Sequence, residues 1–202
     1  MRPNTIDRIR KLAEQNQGFL KTSDFLDNHI SKTHLSTMVN EGWLERVKRG
    51  LYRLAEIDPV SYDSFIDAQK AIPQCIICFH SAMEYYGLST INPQRVQVAV
   101  PRKANVTPPD YPPSEVYYLT EWYYHIGITE VPIRNEKVRI YTPEKTLCDC
   151  IRYRNKIGAD LAIETFKNYI RAYNRKDLNL LLHTAVQCKV EEKVRNYMEV
   201  LV

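Results

Sequence analysis

Residues 31–54, SKTHLSTMVNEGWLERVKRGLYRL, limit the fold of this chain more tightly than any other stretch. The segment opens with polar residues at helical spacing and breaks at Gly42. It then runs through two short strand-like stretches joined by Lys48-Arg49-Gly50. Ser31 is placed to cap a helix in which Leu35, Met38 and Val39 form the apolar stripe, and Gly42 supplies a left-handed stop. At 100° per residue, Thr33, Ser36, Thr37 and Asn40 fall on the opposite face, with Lys32 at its N-terminal edge and His34 on a flank. That face carries short hydrogen-bonding side chains in place of the Glu/Lys mixture of an ordinary solvated helix. It suits a major groove, where slim donors and acceptors reach base edges. Gly50 offers the positive φ of a tight hairpin.

Upstream, Asn4 or Thr5 is positioned to cap a helix carrying Ile6, Ile9, Leu12 and Ala13, with Gly18 ending it. Thr22 or Ser23 then caps a short second helix that holds Phe25 and Leu26. Three helices followed by a two-stranded hairpin is the order of a winged helix-turn-helix, with residues 31–41 as recognition helix. Its basic tip, Lys48 and Arg49, would then serve as a phosphate-contacting wing. Charge agrees: residues 1–55 hold 10 Lys and Arg against 6 Asp and Glu, whereas residues 56–202 hold 18 of each. All the excess positive charge lies in the first quarter of the chain, which points to an anionic partner there. The alternative is a protein-interaction module whose charged hairpin tip serves only solubility.

Ile57-Asp58-Pro59 marks a boundary, because proline disfavours helix before it. The expected domains are 1–56 and 57–202. In the second, PQCIICFHSAMEYYGL reads as a buried segment running into a helix that stops at Gly87. RVQVAVP and EVYYLT read as strands flanking the proline-rich loop TPPDYPP. TEVPIRNEKVRIYT reads as a hairpin turning at Asn135-Glu136, with Ile133, Val138 and Ile140 inward. Thr142-Pro143 is a helix start. Beyond it the apolar stripes Ala162/Phe166/Tyr169/Ile170, Leu178/Leu181/Leu182/Ala185 and Val190/Val194/Tyr197/Leu201 give three helices. The expected class is α+β: an N-terminal winged helix-turn-helix followed by a larger α+β domain with a small sheet and C-terminal helices. The fourteen tyrosines cluster in the strands, which fits half-buried packing or, alternatively, an aromatic ligand platform.

Five cysteines, at 75, 78, 148, 150 and 188, do not form an even disulfide framework. Cys75-x-x-Cys78 and Cys148-x-Cys150 invite a zinc reading. Residues two apart on a helix point about 160° apart, however, and CIICF is an apolar run where cysteine acts as a small hydrophobe. Buried structural thiols are the expectation, with no metal and no cofactor. No apolar run reaches the ~18 residues of a membrane span, and residues 1–20 lack a signal-peptide core, so a cytoplasmic location is expected.

Six isolated glycines build no phosphate loop, and G-x-S-x-G and H-E-x-x-H are absent. The E-x-K at Glu191-Glu192-Lys193 is poor support for a nuclease, so no catalytic residue is assigned. The remaining charged cluster lies in TPEKTLCDCIRYRNKIGADLAIETF. Lys145, Asp149 and Arg152 at i, i+4 and i+7 share a helix face and are spaced to pair, and Arg154, Asn155 and Lys156 make a polar corner. By spacing alone this is a solvated ion-pair face.

PEKTLCDCIRYRNKIGADLAIE, together with CFHSAMEYYGLST, VQVAVPR and LERVKRGLYRL, resembles the AbiEi-like antitoxin family of bacterial abortive-infection (type IV) toxin–antitoxin systems. The resemblance spans residues 5 to about 170, and Tyr153 to Gly158 is its most specific part. It implies a winged helix that binds promoter DNA and represses its own operon. It also implies a C-terminal domain that counteracts a nucleotidyltransferase-type toxin. From the polar helix face and the basic hairpin tip, Lys32, Thr33, Ser36, Thr37, Asn40, Lys48 and Arg49 are the expected DNA-binding residues. Lys145, Asp149, Arg152, Arg154, Asn155 and Lys156 are the candidate antitoxin surface. The competing function is a stand-alone winged-helix regulator with a ligand-sensing or oligomerising C-terminal domain.

Overall fold

The computed structural model describes residues 8–13, 16, 18–55, 62–172 and 175–201. The expected caps Asn4 and Thr5 and the expected boundary at Ile57-Asp58-Pro59 lie outside the described residues. Residues 8–13 are helical (α1), with Ile9 and Ala13 buried. Gly18, at φ 88°, turns the chain into a three-residue strand β1 (Phe19–Lys21). Then come α2 (Thr22–Asp27), α3 (Lys32–Asn40), β2 (Leu44–Lys48) and β3 (Leu51–Leu54).

Helix α2 starts at Thr22 with Lys21 at the N-cap, one residue earlier than expected. The Asp24 carboxylate supplies the capping contact by accepting the Lys21 N–H at 2.7 Å. The three strands pair antiparallel in the order β1-β3-β2, with Leu20 opposite Tyr52 and Leu44 opposite Leu54. One face of this wing sheet carries Leu20, Leu44, Tyr52 and Leu54 onto α1, α2 and α3. Alternation along β2 puts Val47 on the other face from Leu44, beside Phe19 and Leu51, and the register shifts between Arg46 and Lys48. Strand β1 has no legible two-residue period because it is only three residues long.

The second sheet has the order β6-β5-β4-β8-β7, built from β4 (Ile76–Ile77), β5 (Val96–Pro101), β6 (Ser114–Leu119), β7 (Ile128–Ile133) and β8 (Glu136–Tyr141). It is mixed: β5/β6 and β4/β8 are parallel, and the other pairs are antiparallel. The β7–β8 turn falls at Arg134-Asn135, one residue before the expected place, with Arg134 at φ 52°. Around the sheet lie α4 (Asp63–Ala71), α5 (Phe79–Tyr85), α6 (Glu121–Tyr124), α7 (Pro143–Arg152), α8 (Arg154–Ile157), α9 (Ala159–Ala172), α10 (Arg175–Gln187) and α11 (Glu191–Leu201).

Strand alternation sends the two faces of this sheet into different cores. Ile76, Ala99 and Tyr141 join Phe79, Met83, Leu147, Phe166 and Leu181 from α5, α7, α9 and α10. Ile77, Val98, Val100, Val138 and Ile140 join Phe65, Ile66 and Ala68 of α4, and also Phe19, Val47 and Leu51 of the wing sheet. The wing sheet is therefore sandwiched between its own helices and α4, and the N- and C-terminal parts share one apolar core. Each fully buried Val, Leu or Phe there contributes about 1.5–3 kcal/mol. All five cysteines are buried and unpaired, and burial pushes Cys75 and Cys150 up to about 12.

Candidate nucleic-acid interface

Helix α3 begins where Ser31 accepts the His34 N–H, and the Ser31 hydroxyl also lies 2.9 Å from His34 Nδ1. Leu35 and Met38 are buried among Ile9, Phe25 and Leu44, which fixes the rotation of the helix about its axis. Thr33, Ser36 and Asn40 are consequently exposed along one ridge. Thr37 is half-buried, and its hydroxyl donates to the Thr33 carbonyl at 3.0 Å. The Lys32 side chain lies outside the described residues. Glu41 sits past the last turn, and Gly42 at φ 77° redirects the chain into β2. No Glu or Lys interrupts the ridge between Thr33 and Asn40, so slim uncharged groups can approach a base edge without displacing a bulky neighbour.

The hairpin tip differs from expectation. The Lys48 ammonium donates to the Ala71 carbonyl at the end of α4. That carbonyl is among those a helix leaves without an intrahelical partner, and a cation there is favoured by the helix dipole. Lys48 is thus held against the C-terminal part, and the expected pair of wing cations is reduced to Arg49. Arg49 is exposed and without a hydrogen bond or ion pair among the described residues. The wing is pinned further by Arg53, whose guanidinium bridges buried Asp67 of α4 and Glu45 of β2. Burial lifts the Asp67 carboxyl to about 7 in spite of the neighbouring guanidinium, with Asp63 and Glu45 also raising it. The proline-rich loop completes the junction: the Tyr111 N–H donates to the Val47 carbonyl on the edge of β2 at 2.9 Å, and Arg53 stacks over the Tyr111 ring. Sequence reasoning missed Arg53 and Asp67 because no local pattern ties residues fourteen apart in different elements.

The second cluster was expected to be a surface. Lys145 and Asp149 do pair, with Nζ 2.6 and 2.7 Å from the two carboxylate oxygens, yet both side chains are 0% exposed. Helix α7 lies beneath α9 and α10 and against α5, so the face that spacing assigned to solvent is interior. The ammonium also sits 3.9 Å above the Tyr123 ring and 4.2 Å above the Tyr141 ring, and the Tyr123 hydroxyl donates to Asp149 at 2.5 Å. Gly127, at φ 66°, makes room for it, since a Cβ there would lie 2.6 Å from Lys145 Cβ. Neither Lys145 nor Asp149 can belong to a docking surface. Arg152 is half-buried, donating to the Cys188 carbonyl at 3.0 Å and stacking on Tyr123. Arg154 is half-buried and donates to the Ile151 carbonyl, whereas Asn155 and Lys156 are exposed. Among the described residues there is no group of three His, Cys, Asp or Glu side chains arranged to hold a metal ion. No described helix is long and apolar enough to cross a membrane.

Residues 7–55 match a family model described as "Transcriptional regulator, AbiEi antitoxin", and residues 75–195 match the model of the AbiEi antitoxin C-terminal domain. No curated protein matches the chain. Among solved structures, the RV2827C protein from Mycobacterium tuberculosis superposes with a TM-score of 0.56. It is 11% identical, and the match covers 98% of this chain and 81% of that one, a likeness of fold alone.

Proposed function

The chain belongs to the AbiEi antitoxin family, and from that premise we propose that it is the antitoxin and autorepressor of a type IV, abortive-infection toxin–antitoxin system. In this reading the winged helix binds double-stranded promoter DNA, and the C-terminal domain counteracts a nucleotidyltransferase-type toxin. The observation that carries the DNA half is the exposed ridge of Thr33, Ser36 and Asn40 on a helix whose opposite side is locked by Leu35 and Met38. Thr33, Ser36, Thr37 and Asn40 meet base edges, Lys32 and Arg49 meet phosphate, and Lys48 holds the wing to α4. Arg152, Arg154, Asn155 and Lys156 remain as the accessible part of the antitoxin surface.

Duplexes drawn from upstream of the gene test the first half, with the full chain compared with a Thr33→Ala/Ser36→Ala/Asn40→Ala variant. The expected result is preference for one upstream duplex over a scrambled one, lost in the variant at about 1–3 kcal/mol per base contact removed. Equal affinity of the full chain for both duplexes would remove the repressor role. Co-expression with the neighbouring toxin gene tests the second half: absence of growth rescue would leave a stand-alone regulator.

A further inference from the structure

We infer that Cys148 and Cys188 are a redox-active thiol pair, oxidised to a disulfide by hydroperoxides with Cys188 as the attacking sulfur. The inference is independent of the DNA-binding reading, since both residues belong to the core on the far side of the second sheet from the wing.

Three elements bring the two sulfurs together. Cys148 and Arg152 are four residues apart on α7 and therefore share one side of it. The Arg152 guanidinium donates to the Cys188 carbonyl at 3.0 Å, so that side of α7 faces the end of α10. There the Cys148 thiol hydrogen-bonds to the Cys188 sulfur. Cys188 itself is fixed by its N–H, which donates to the Thr184 carbonyl at 2.8 Å and completes the last turn of α10. Both thiols are buried, yet Gln187 and Lys189 on either side of Cys188 are exposed. One layer of chain at a helix end separates the pair from solvent, and opening of a terminal turn is enough to admit a peroxide.

The surroundings distinguish Cys188 from the other four thiols. The hydrogen bond from Cys148 and the nearby Lys145 ammonium hold it below the usual thiol range, against burial and the Asp149 carboxylate. A sulfur so placed carries more thiolate, the nucleophilic form. The same bond, with burial, holds Cys148 above that range. Cys150 points to a different side of α7, with its sulfur 3.7 Å from the Thr165 hydroxyl of α9. Cys75 donates to the Ala68 carbonyl at 3.8 Å, in the opposite core from Cys78. Burial pushes Cys75, Cys78 and Cys150 up, which makes them poor nucleophiles.

The chemistry closes in two steps. The Cys188 sulfur attacks one peroxide oxygen, the O–O bond breaks, and the departing oxygen takes the thiol proton and leaves as water or alcohol. The Cys148 sulfur then attacks the resulting sulfenic acid. An S–S bond forms, the S–O bond breaks, and the hydroxyl leaves as water with the Cys148 proton. Two thiols are oxidised and one hydroperoxide is reduced.

The test treats the folded full chain with excess hydrogen peroxide, removes the peroxide, and alkylates the remaining thiols after unfolding. Intact mass should show alkylated thiols falling from five to three, and peptide mapping should find Cys148 joined to Cys188. Dithiothreitol should restore all five. In Cys148→Ala the sulfenic acid should persist on Cys188 and be trapped by dimedone, whereas in Cys188→Ala Cys148 should stay unreacted. Five alkylated thiols after peroxide, or a link between any other two cysteines, overturns the inference. So does a Cys148–Cys188 link that forms no faster in the folded chain than in urea, because chain geometry would then contribute nothing. Dimedone capture on Cys148 in Cys188→Ala overturns the assignment of the attacking sulfur. The parent-chain measurements decide the pairing even where an alanine variant does not fold.

Discussion

Replacing Lys145 with methionine isolates the energetic role of the buried ion pair, because methionine nearly matches the volume and opens little cavity. In the native chain Asp149 receives Lys145 at 2.6 and 2.7 Å and the Tyr123 hydroxyl at 2.5 Å, all in a site without solvent exposure. After the substitution the carboxylate keeps one donor and loses its counter-charge. Breaking a buried pair from one side costs about 3–5 kcal/mol. At about 2–4 °C per kcal/mol for a chain of this size, the melting temperature should fall by about 6–20 °C. Lys145→Met/Asp149→Leu should recover at least half of that loss, because no lone charge is left inside. The orphaned Tyr123 hydroxyl would retain a penalty of about 1–3 kcal/mol. Calorimetric melts of the two variants and the parent chain decide the matter. A fall below 3 °C for Lys145→Met, or a double variant worse than the single one, would refute the assignment of this pair as a mutually dependent interior unit.

Two further outcomes follow from the same geometry. Gly127→Ala should destabilise the chain by about 1–3 kcal/mol, since its Cβ would meet Lys145 Cβ at 2.6 Å from a backbone at φ 66°; an unchanged denaturation midpoint would contradict the close approach. Asp67 titrates at about 7 in the folded chain against an ordinary value of 3.8, so the folded state binds the extra proton between those limits. That contribution is fully present below 3.8 and is lost as pH rises to about 7. Asp67→Asn should therefore flatten the fall in stability over that window; denaturation midpoints at pH 4, 5.5 and 7 with identical slopes for both chains would count against the lifted carboxyl.

The winged helix and the sheet strands were legible because their signals are local. Ser31 caps α3 three residues before the N–H it accepts, Gly42 and Gly50 sit at positive φ, and Leu35 and Met38 lie one helical turn apart. Val138 and Ile140 likewise keep the two-residue period that carries them inward. Where the signal was short or shared it failed: β1 has three residues, and α4 was not anticipated at all. The cap of α2 moved by one residue because a carboxylate in the first turn does the work that the hydroxyls of Thr22 and Ser23 were expected to do.

The amino-acid sequence determined on its own that residues 31–41 form a helix with one apolar and one slim polar side, followed by a cationic hairpin. Tertiary structure alone decided which charges stay in water. An i, i+4, i+7 spacing states that Lys145, Asp149 and Arg152 share a side of α7 but not that other helices cover that side. Likewise no residue near Lys48 foretells a helix end twenty-three residues later that takes its ammonium. Helical periodicity sets directions relative to the helix axis, whereas burial depends on what the rest of the chain brings against it.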